Sequence, residues 1–336
     1  MLRGIFNFVN SVNSVKKPVF LAGSTAVGKS EIALRLAEKL GGEIISVDSM
    51  QVYRGLDIGT AKPTAADCVR VPHHLIDVCD LCEAFDAAQF VLRAEKAVAE
   101  IQARKKIPIF CGGTGLYFKA FLEGLGKAPP ADEKLRAELE AAPLEELLEE
   151  LRKRDPATFE KIDRQNPRRI VRAVEVIRLT GKKFSEQRAA WESASRITHH
   201  ASRILCLTRA ADDLRHRIAV RVDEMFARGL VAETQQLLQR GLAENRFAMQ
   251  AIGYRQVVEH LRGERGLAET IELVKIKTRQ FAKRQLTWFR RHGNCEWIEM
   301  KPDETVGETV VKIGLEEPLR RKCDGQDSPS RILLPP

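Results

Sequence analysis

From Pro18 onward the hydrophobic pattern is regular. Val19-Phe20-Leu21-Ala22 is a continuous apolar run of buried-strand type, Gly23 to Ser30 is a glycine-bearing loop, and Glu31 to Leu40 has helical composition, stopped by Gly41-Gly42. Glu43-Ile44-Ile45-Ser46-Val47 predicts a second strand. Asp48 stands at its carboxyl end, the edge where open parallel sheets place their ligands. His74 to Val78 reads as a short strand and Phe85 to Arg104 as an amphipathic helix. Ile107 to Cys111 reads as a strand running into Gly112-Gly113-Thr114-Gly115 and another helix. Strands alternating with helices call for a parallel sheet covered by helices.

The style changes at Lys127-Ala128-Pro129-Pro130. From Asp132 to about Ala194 the chain is charged, helix-forming and nearly free of β-rich runs, until Arg203 to Leu207 returns as a late strand. The predicted fold class is therefore α/β: a P-loop NTPase-like parallel sheet with helices on both faces, plus an inserted helical domain. The expected boundaries are an extension over 1–17, a core over 18–124 and 200–315 ending in basic helices, an insertion over 125–199, and a polar tail over 316–336. The tail, with its Gly, Ser and Pro, is expected to be disordered beyond its first residues.

Composition narrows the class further. With 44% hydrophobic and 30% charged residues the 336-residue chain can build a core, which excludes a disordered polymer. No apolar run approaches the roughly 18 residues of a bilayer span, so no membrane role is expected. Fifty-five basic against 46 acidic residues give a net charge of +9, which suits a polyanionic partner without identifying one. The seven cysteines are odd in number and scattered, as in a reducing cytoplasm. Cys79 and Cys82 form one C-x-x-C with no second pair or His cluster at zinc spacing, and read as ordinary thiols.

Gly23-Ser24-Thr25-Ala26-Val27-Gly28-Lys29-Ser30 fits G-x-x-x-x-G-K-[ST] between a predicted strand and a predicted helix, the context that motif requires. Such a loop turns backbone N–H groups and a helix amino end toward phosphate. Lys29 would bridge its oxygens, and the Ser30 hydroxyl could ligate Mg2+. A diphosphate or triphosphate is implied. Kinases, NTPases and enzymes that expel pyrophosphate share this cradle, so the reaction stays open at this point. Asp48 is a candidate base, metal ligand or helix cap.

Further residues carry a resemblance. Asp48-Ser49-Met50-Gln51-Val52-Tyr53-Arg54-Gly55-Leu56-Asp57-Ile58-Gly59-Thr60-Ala61-Lys62-Pro63 resembles the segment that follows the P-loop in the tRNA dimethylallyltransferases, or tRNA isopentenyltransferases. In order along the chain come Pro72 to Asp77, Gly112 to Ala120, Asn166-Pro167-Arg168-Arg169, Gly229-Leu230, Gly253-Tyr254-Arg255-Gln256 and Thr278 to Trp288, so the resemblance spans about Pro18 to Trp297. Ser24 departs from it, standing where the family's loop usually has proline, and no zinc-finger extension follows, so the shorter bacterial type is the one resembled. The resemblance implies transfer of a dimethylallyl group from dimethylallyl diphosphate to N6 of the adenosine beside the anticodon, position 37, of tRNAs reading codons that begin with U. It implies a monomer using Mg2+, with Asp48 as base, Thr114 holding donor or base, and Arg217, with Arg221 one turn on, at the departing diphosphate. By the same resemblance the tRNA contacts are Ser49, Met50, Gln51, Arg136, Gln165, Asn166, Pro167, Arg168, Arg169, Gly253, Tyr254 and Arg255.

The RNA side also has evidence of its own. Lys275 to Arg291 contains no acid: Lys275, Arg279, Lys283 and Arg290 share one helical face, while Lys277, Arg284 and Arg291 repeat every seven on another, beside Phe281 and Trp288. An acid-free basic span of this length suits phosphate neutralisation, and Lys277, Arg279, Lys283 and Arg284 are its candidate contacts. Three competing readings remain: a small-molecule P-loop kinase, a prenyltransferase acting on free adenine nucleotides, and a non-catalytic RNA-binding module. The kinase leaves the basic helix unexplained, the free-nucleotide enzyme has no use for the insertion, and the module leaves Lys29, Ser30 and Asp48 without a role.

Overall fold

The computed structural model describes residues 17–124, 129–187, 204–292 and 294–314. Residues 1–16 of the N-terminal extension and the polar tail lie outside these residues.

The strands are β1 (Val19–Gly23), β2 (Gly42–Val47), β3 (His73–His74), β4 (Ile107–Gly112), β5 (Ile204–Thr208) and β6 (Cys295–Glu299). All pairings are parallel, in the order β3-β2-β4-β1-β5-β6. The helices described below are α1 (Lys29–Leu40), α2 (Ala65–Arg70), α3 (Ala87–Ala103), α4 (Gly115–Glu123), α5 (Glu133–Ala141), α6 (Leu144–Arg154), α7 (Pro156–Lys161) and α8 (Pro167–Thr180). They continue with α9 (Ala211–Ala227), α10 (Leu230–Gln239), α11 (Tyr254–Leu261), α12 (Leu267–His292) and α13 (Val306–Lys312).

Period-two alternation in the central strands builds the core on both faces of the sheet. Phe20, Ala22, Ile45, Val47 and Phe110 point to one side, where α3, α4 and α11 cover them, and Phe20 stacks on Phe110 at 4.9 Å. Leu21, Ile44, Ile109 and Leu207 point to the other, against α1 and α13. Register then levels the strand ends: Ala22 lies opposite Gly112, and Gly112 opposite Val47. Gly23, Gly113 and Asp48 therefore leave the sheet side by side.

The strand expected over His74 to Val78 shrinks to His73–His74. Leu75 and Asp77 take left-handed φ values of 63° and 54°, which no strand tolerates. The Asp77 carboxylate is drawn instead to the Lys62 ammonium, and its N–H to the Gln51 carbonyl. Two further elements were not expected. β6 extends the sheet beyond β5 but exposes most of its side chains, so its apolar signal is weak. Helix α13 is announced only by its capping box, with Thr305 and Glu308 each accepting from the other's backbone N–H.

Helices α5 to α8 pack around an apolar cluster of their own, built on Leu139, Leu147, Leu151, Ile170, Val174 and Ile177. Glu175, fully buried beside that cluster, accepts from Arg136 at 2.7 Å, Arg172 at 2.6 Å and the Asp132 N–H at 3.1 Å. A buried carboxylate must be bonded on all sides, and here that demand ties Arg136 into the helical unit. Arg136→Ala is expected to cost about 2 kcal/mol, a charge-assisted hydrogen bond, seen as a fall of several degrees in the thermal midpoint. An unchanged midpoint would show that Arg172 alone satisfies Glu175.

Candidate active site

The glycine-bearing loop joins β1 to α1. Gly28, just before the helix, has φ 104°, and Ala26 takes a left-handed φ of 62°. Three cations hold its carbonyls. Lys29 Nζ donates to the Ser24 carbonyl at 2.6 Å, Arg217 Nε to that of Ala26 at 3.0 Å, and Arg209 Nε to that of Val27 at 2.9 Å. In a trans peptide the C=O and the following N–H point opposite ways. Anchoring the Ala26 and Val27 carbonyls to α9 and to Arg209 before it therefore turns the N–H groups of Val27 and Gly28 away from those arginines. Ala26 itself packs against Leu214, Ile218 and Val222 of α9 and Val274 and Ala282 of α12, so the loop is seated on both helices.

Asp48 lies one residue beyond β2. Its Oδ1 accepts from the N–H groups of Met50 at 2.8 Å and Gln51 at 3.3 Å, an Asx-type turn that leaves Oδ2 available. Thr114, at the end of β4, holds this turn from the neighbouring strand. Its N–H donates to the Val47 carbonyl at 3.2 Å, and its hydroxyl oxygen accepts from the Ser49 N–H at 3.3 Å.

Positive charge is concentrated above these strand ends. Burial draws the Lys29 ammonium down to about 8; Arg221 adds to that effect, while Cys111 and Asp48 oppose it. Burial likewise lowers Arg221, with Asp48 and Glu224 working the other way. Arg217 is exposed and spends its Nε on the loop, whereas Arg221 is half-buried and interacts electrostatically with both Lys29 and Asp48. Ser30 is exposed in the first turn of α1. Ser24 is fully buried with its hydroxyl unbonded, an awkward place for a hydroxyl and an easy one for proline's apolar ring.

The candidate RNA contacts divide. Lys277, Lys283 and Arg284 are exposed on α12, Arg279 is half-buried, and Arg284 lies over the Phe281 ring. Lys275, counted with them from sequence, is paired with Asp223 and Glu272, both at 2.9 Å. Gln165, Pro167, Arg168 and Arg169 are exposed at the start of α8, Asn166 caps that helix, and Arg168 bonds Gln250. Ser49 and Met50 are half-buried beside Asp48. The Gln51 side chain instead bonds Ser46 at 2.8 Å and the carbonyls of Thr60 and Ala61, bracing its own loop.

Gly253 and Tyr254, expected at the RNA surface, are buried. The Tyr254 ring fills the core, and its hydroxyl donates to Glu233 at 2.6 Å while accepting from the Gly59 N–H at 3.0 Å. Arg255 is exposed and paired with Glu259. Sequence reasoning missed three residues: Arg209, Glu233, which grips the Ile58 N–H with both oxygens at 3.0 Å, and Gln285. For Gln285 a signal existed, since a polar residue falls on the stripe that Ala282 and Phe289 make on α12.

The chain is similar to known proteins in sequence and in fold. The family model described as IPP transferase matches residues 51–292. The tRNA dimethylallyltransferase 1 of Trichlorobacter lovleyi is 48% identical over 282 residues, 83% of this chain and 92% of that protein. The tRNA dimethylallyltransferase of Geobacter metallireducens is 46% identical over 84% of this chain and 92% of its own. Among solved structures, a full-length tRNA isopentenylpyrophosphate transferase from Bacillus halodurans is 40% identical with a TM-score of 0.66, covering 89% of this chain and 94% of that one. A eukaryotic dimethylallyltransferase acting on tRNA reaches a TM-score of 0.75 at 29% identity, covering 89% of this chain and 77% of that one. With matches of this extent to the sequence and to the sheet with its covering helices, the chain belongs to the IPP transferase family, that of the tRNA dimethylallyltransferases.

Proposed function

We propose that the protein transfers a dimethylallyl group from dimethylallyl diphosphate to the exocyclic N6 amine of the adenosine beside the anticodon of tRNA, releasing diphosphate. The observation that carries this reading is the convergence of Asp48, Thr114, Lys29, Arg221 and the phosphate loop at one edge of the sheet. That convergence supports a base and a diphosphate cradle acting at one reaction centre.

In the transfer the N6–carbon bond forms as the bond from that carbon to the diphosphate oxygen breaks. The N6 lone pair is delocalised into the purine, so removal of its proton by Asp48 Oδ2 assists attack. The electron pair of the breaking bond leaves on the diphosphate, whose growing charge meets Lys29, Arg221, the free end of Arg217 and the loop N–H groups. Thr114 keeps the Asp48 turn in place. The site suits a magnesium ion that retains most of its waters: Ser30 offers one exposed hydroxyl, and among the described residues no group of three or more His, Cys, Asp or Glu forms an all-protein cage. Such an ion would neutralise diphosphate charge.

An amine stacked within an anticodon loop is out of reach of Asp48, so the adenosine is flipped out toward it. Ser49 and Met50 flank its entry. The exposed cations of α12 and the start of α8, on the helical insertion, follow the RNA backbone. No helix among the described residues is long and apolar enough to cross a membrane.

The direct test mixes purified protein, magnesium, unmodified tRNA and radiolabelled dimethylallyl diphosphate, with ATP and free nucleotides in parallel. Label is expected on the adenosine beside the anticodon, and Asp48→Asn should lose about 100-fold or more in turnover while still binding tRNA. Label on free nucleotides, or consumption of ATP alone, refutes the reading. The lowered Lys29 value sets a pH dependence. Below pH about 8 the lysine of the free enzyme is already charged; above it, an arriving diphosphate must draw a proton onto the amine. Calorimetry in buffers of different ionisation heat should show proton uptake on pyrophosphate binding at pH 9 that Lys29→Arg abolishes; equal uptake in both proteins would remove Lys29 as its source. Finally, Lys283→Gln with Arg284→Gln should weaken tRNA binding and flatten the salt slope by roughly 1.5, and an unchanged slope moves the RNA path elsewhere.

A further inference from the structure

Gln285 does something that neither the donor nor the RNA requires of it. It lies on the buried face of α12 beside Ala282 and Phe289, with 7% of its surface exposed. An amide in such a place is costly unless both of its ends are bonded. Both are. Oε1 accepts from the N–H of Thr25 in the phosphate loop at 2.8 Å, and Nε2 donates to the carbonyl of Gly113 at 3.0 Å. One partner is a donor and the other an acceptor, so the amide satisfies both at once, and the two partners fix which way it faces.

The approach to Gly113 is close. A Cβ on that residue would lie 2.1 Å from Nε2, so the strand end keeps a glycine for the amide to reach its carbonyl. The next residue is Thr114, whose hydroxyl oxygen accepts from the N–H of Ser49 beside Asp48. A line of hydrogen bonds and one peptide thus runs from the phosphate loop through Gln285 to the turn that seats the base. Two residues earlier and one residue earlier on the same helix, Lys283 and Arg284 are exposed.

We propose that Gln285 is a positioning residue that fixes the phosphate loop, and with it the donor, at its working distance from Asp48. This rests on the transfer reading above. Because both ends of its amide are spent on backbone groups, its removal acts on rate through geometry. A displacement of about 1 Å between reacting groups is enough to cost on the order of 100-fold.

The test compares wild type with Gln285→Leu, which suits the apolar stripe and removes both bonds, and Gln285→Met, which also removes both while keeping the length of the side chain. Single-turnover transfer with enzyme in excess reads the rate at each intact site, independent of how much of a preparation is active. Both variants are expected to fall by about 10- to 100-fold in that rate, with KM for tRNA near the wild-type value. A glutamine that only supports the fold would lower the thermal midpoint and leave the single-turnover rate within about twofold of wild type; that result for either variant overturns the proposal. If wild type itself labels no tRNA, the transfer reading fails, and magnesium pyrophosphate binding then decides for Gln285. Affinity about tenfold weaker in Gln285→Leu supports loop positioning, and equal affinity overturns it.

Discussion

A loop that is to receive a diphosphate must not present carbonyl oxygens to it, and the rest of the site depends on that constraint. Peptide planes left to themselves would average over both orientations. Here three are pinned by cations: Ser24 by Lys29 of the loop itself, and from outside Ala26 by Arg217 and Val27 by Arg209. Each bond fixes a dipole before any ligand arrives, so reorganisation is completed in folding rather than during reaction. The arginines can do this because Ala26 packs on α9 and α12, which places α9 directly over the loop.

The same arrangement concentrates positive charge where burial disfavours it. Lys29 and Arg221 are both lowered by desolvation, and Asp48 offsets only part of the effect. A site under this strain favours an anionic partner over water, since a diphosphate both satisfies the loop N–H groups and restores the charge on the lysine. Asp48 is not consumed as a counter-ion, because only one of its oxygens is committed, to the Met50 and Gln51 N–H groups. In the proposed reaction the donor can thus be held by cations while the base remains free to take a proton.

What the sequence disclosed and what it hid follow one physical division. The loop, Asp48 and Thr114 were legible because their placement depends on local order: a strand, a turn, a helix start, and a register that levels Ala22, Gly112 and Val47. The pattern failed where a residue's role depends on a partner far along the chain. Gln285 meets Thr25 across 260 positions, and Arg209 meets Val27 across 182. Strand β6 was missed because an edge strand with one buried position carries almost no alternation. Tyr254, a tRNA contact by resemblance, is instead buried, with Glu233 and Gly59 claiming its hydroxyl.

Charge was the least legible quantity, although it was the easiest to count. A net +9 suggests a broad cationic surface, yet many of the cations are spent internally. Arg136 and Arg172 hold the buried Glu175, Arg209 pairs with Asp213 while holding the loop, Lys62 is nearly buried between Asp57 and Asp77, and Lys275 is held by Asp223 and Glu272. On the candidate RNA face the exposed cations outside such pairs are chiefly Lys277, Lys283, Arg284 and Arg291 on α12 with Arg169 at the start of α8. For the proposed reaction a narrow set is the more useful one: scattered charge binds RNA in many registers, whereas in that reading a few cations on a helix that also grips the phosphate loop would relate the RNA to the donor through one rigid element.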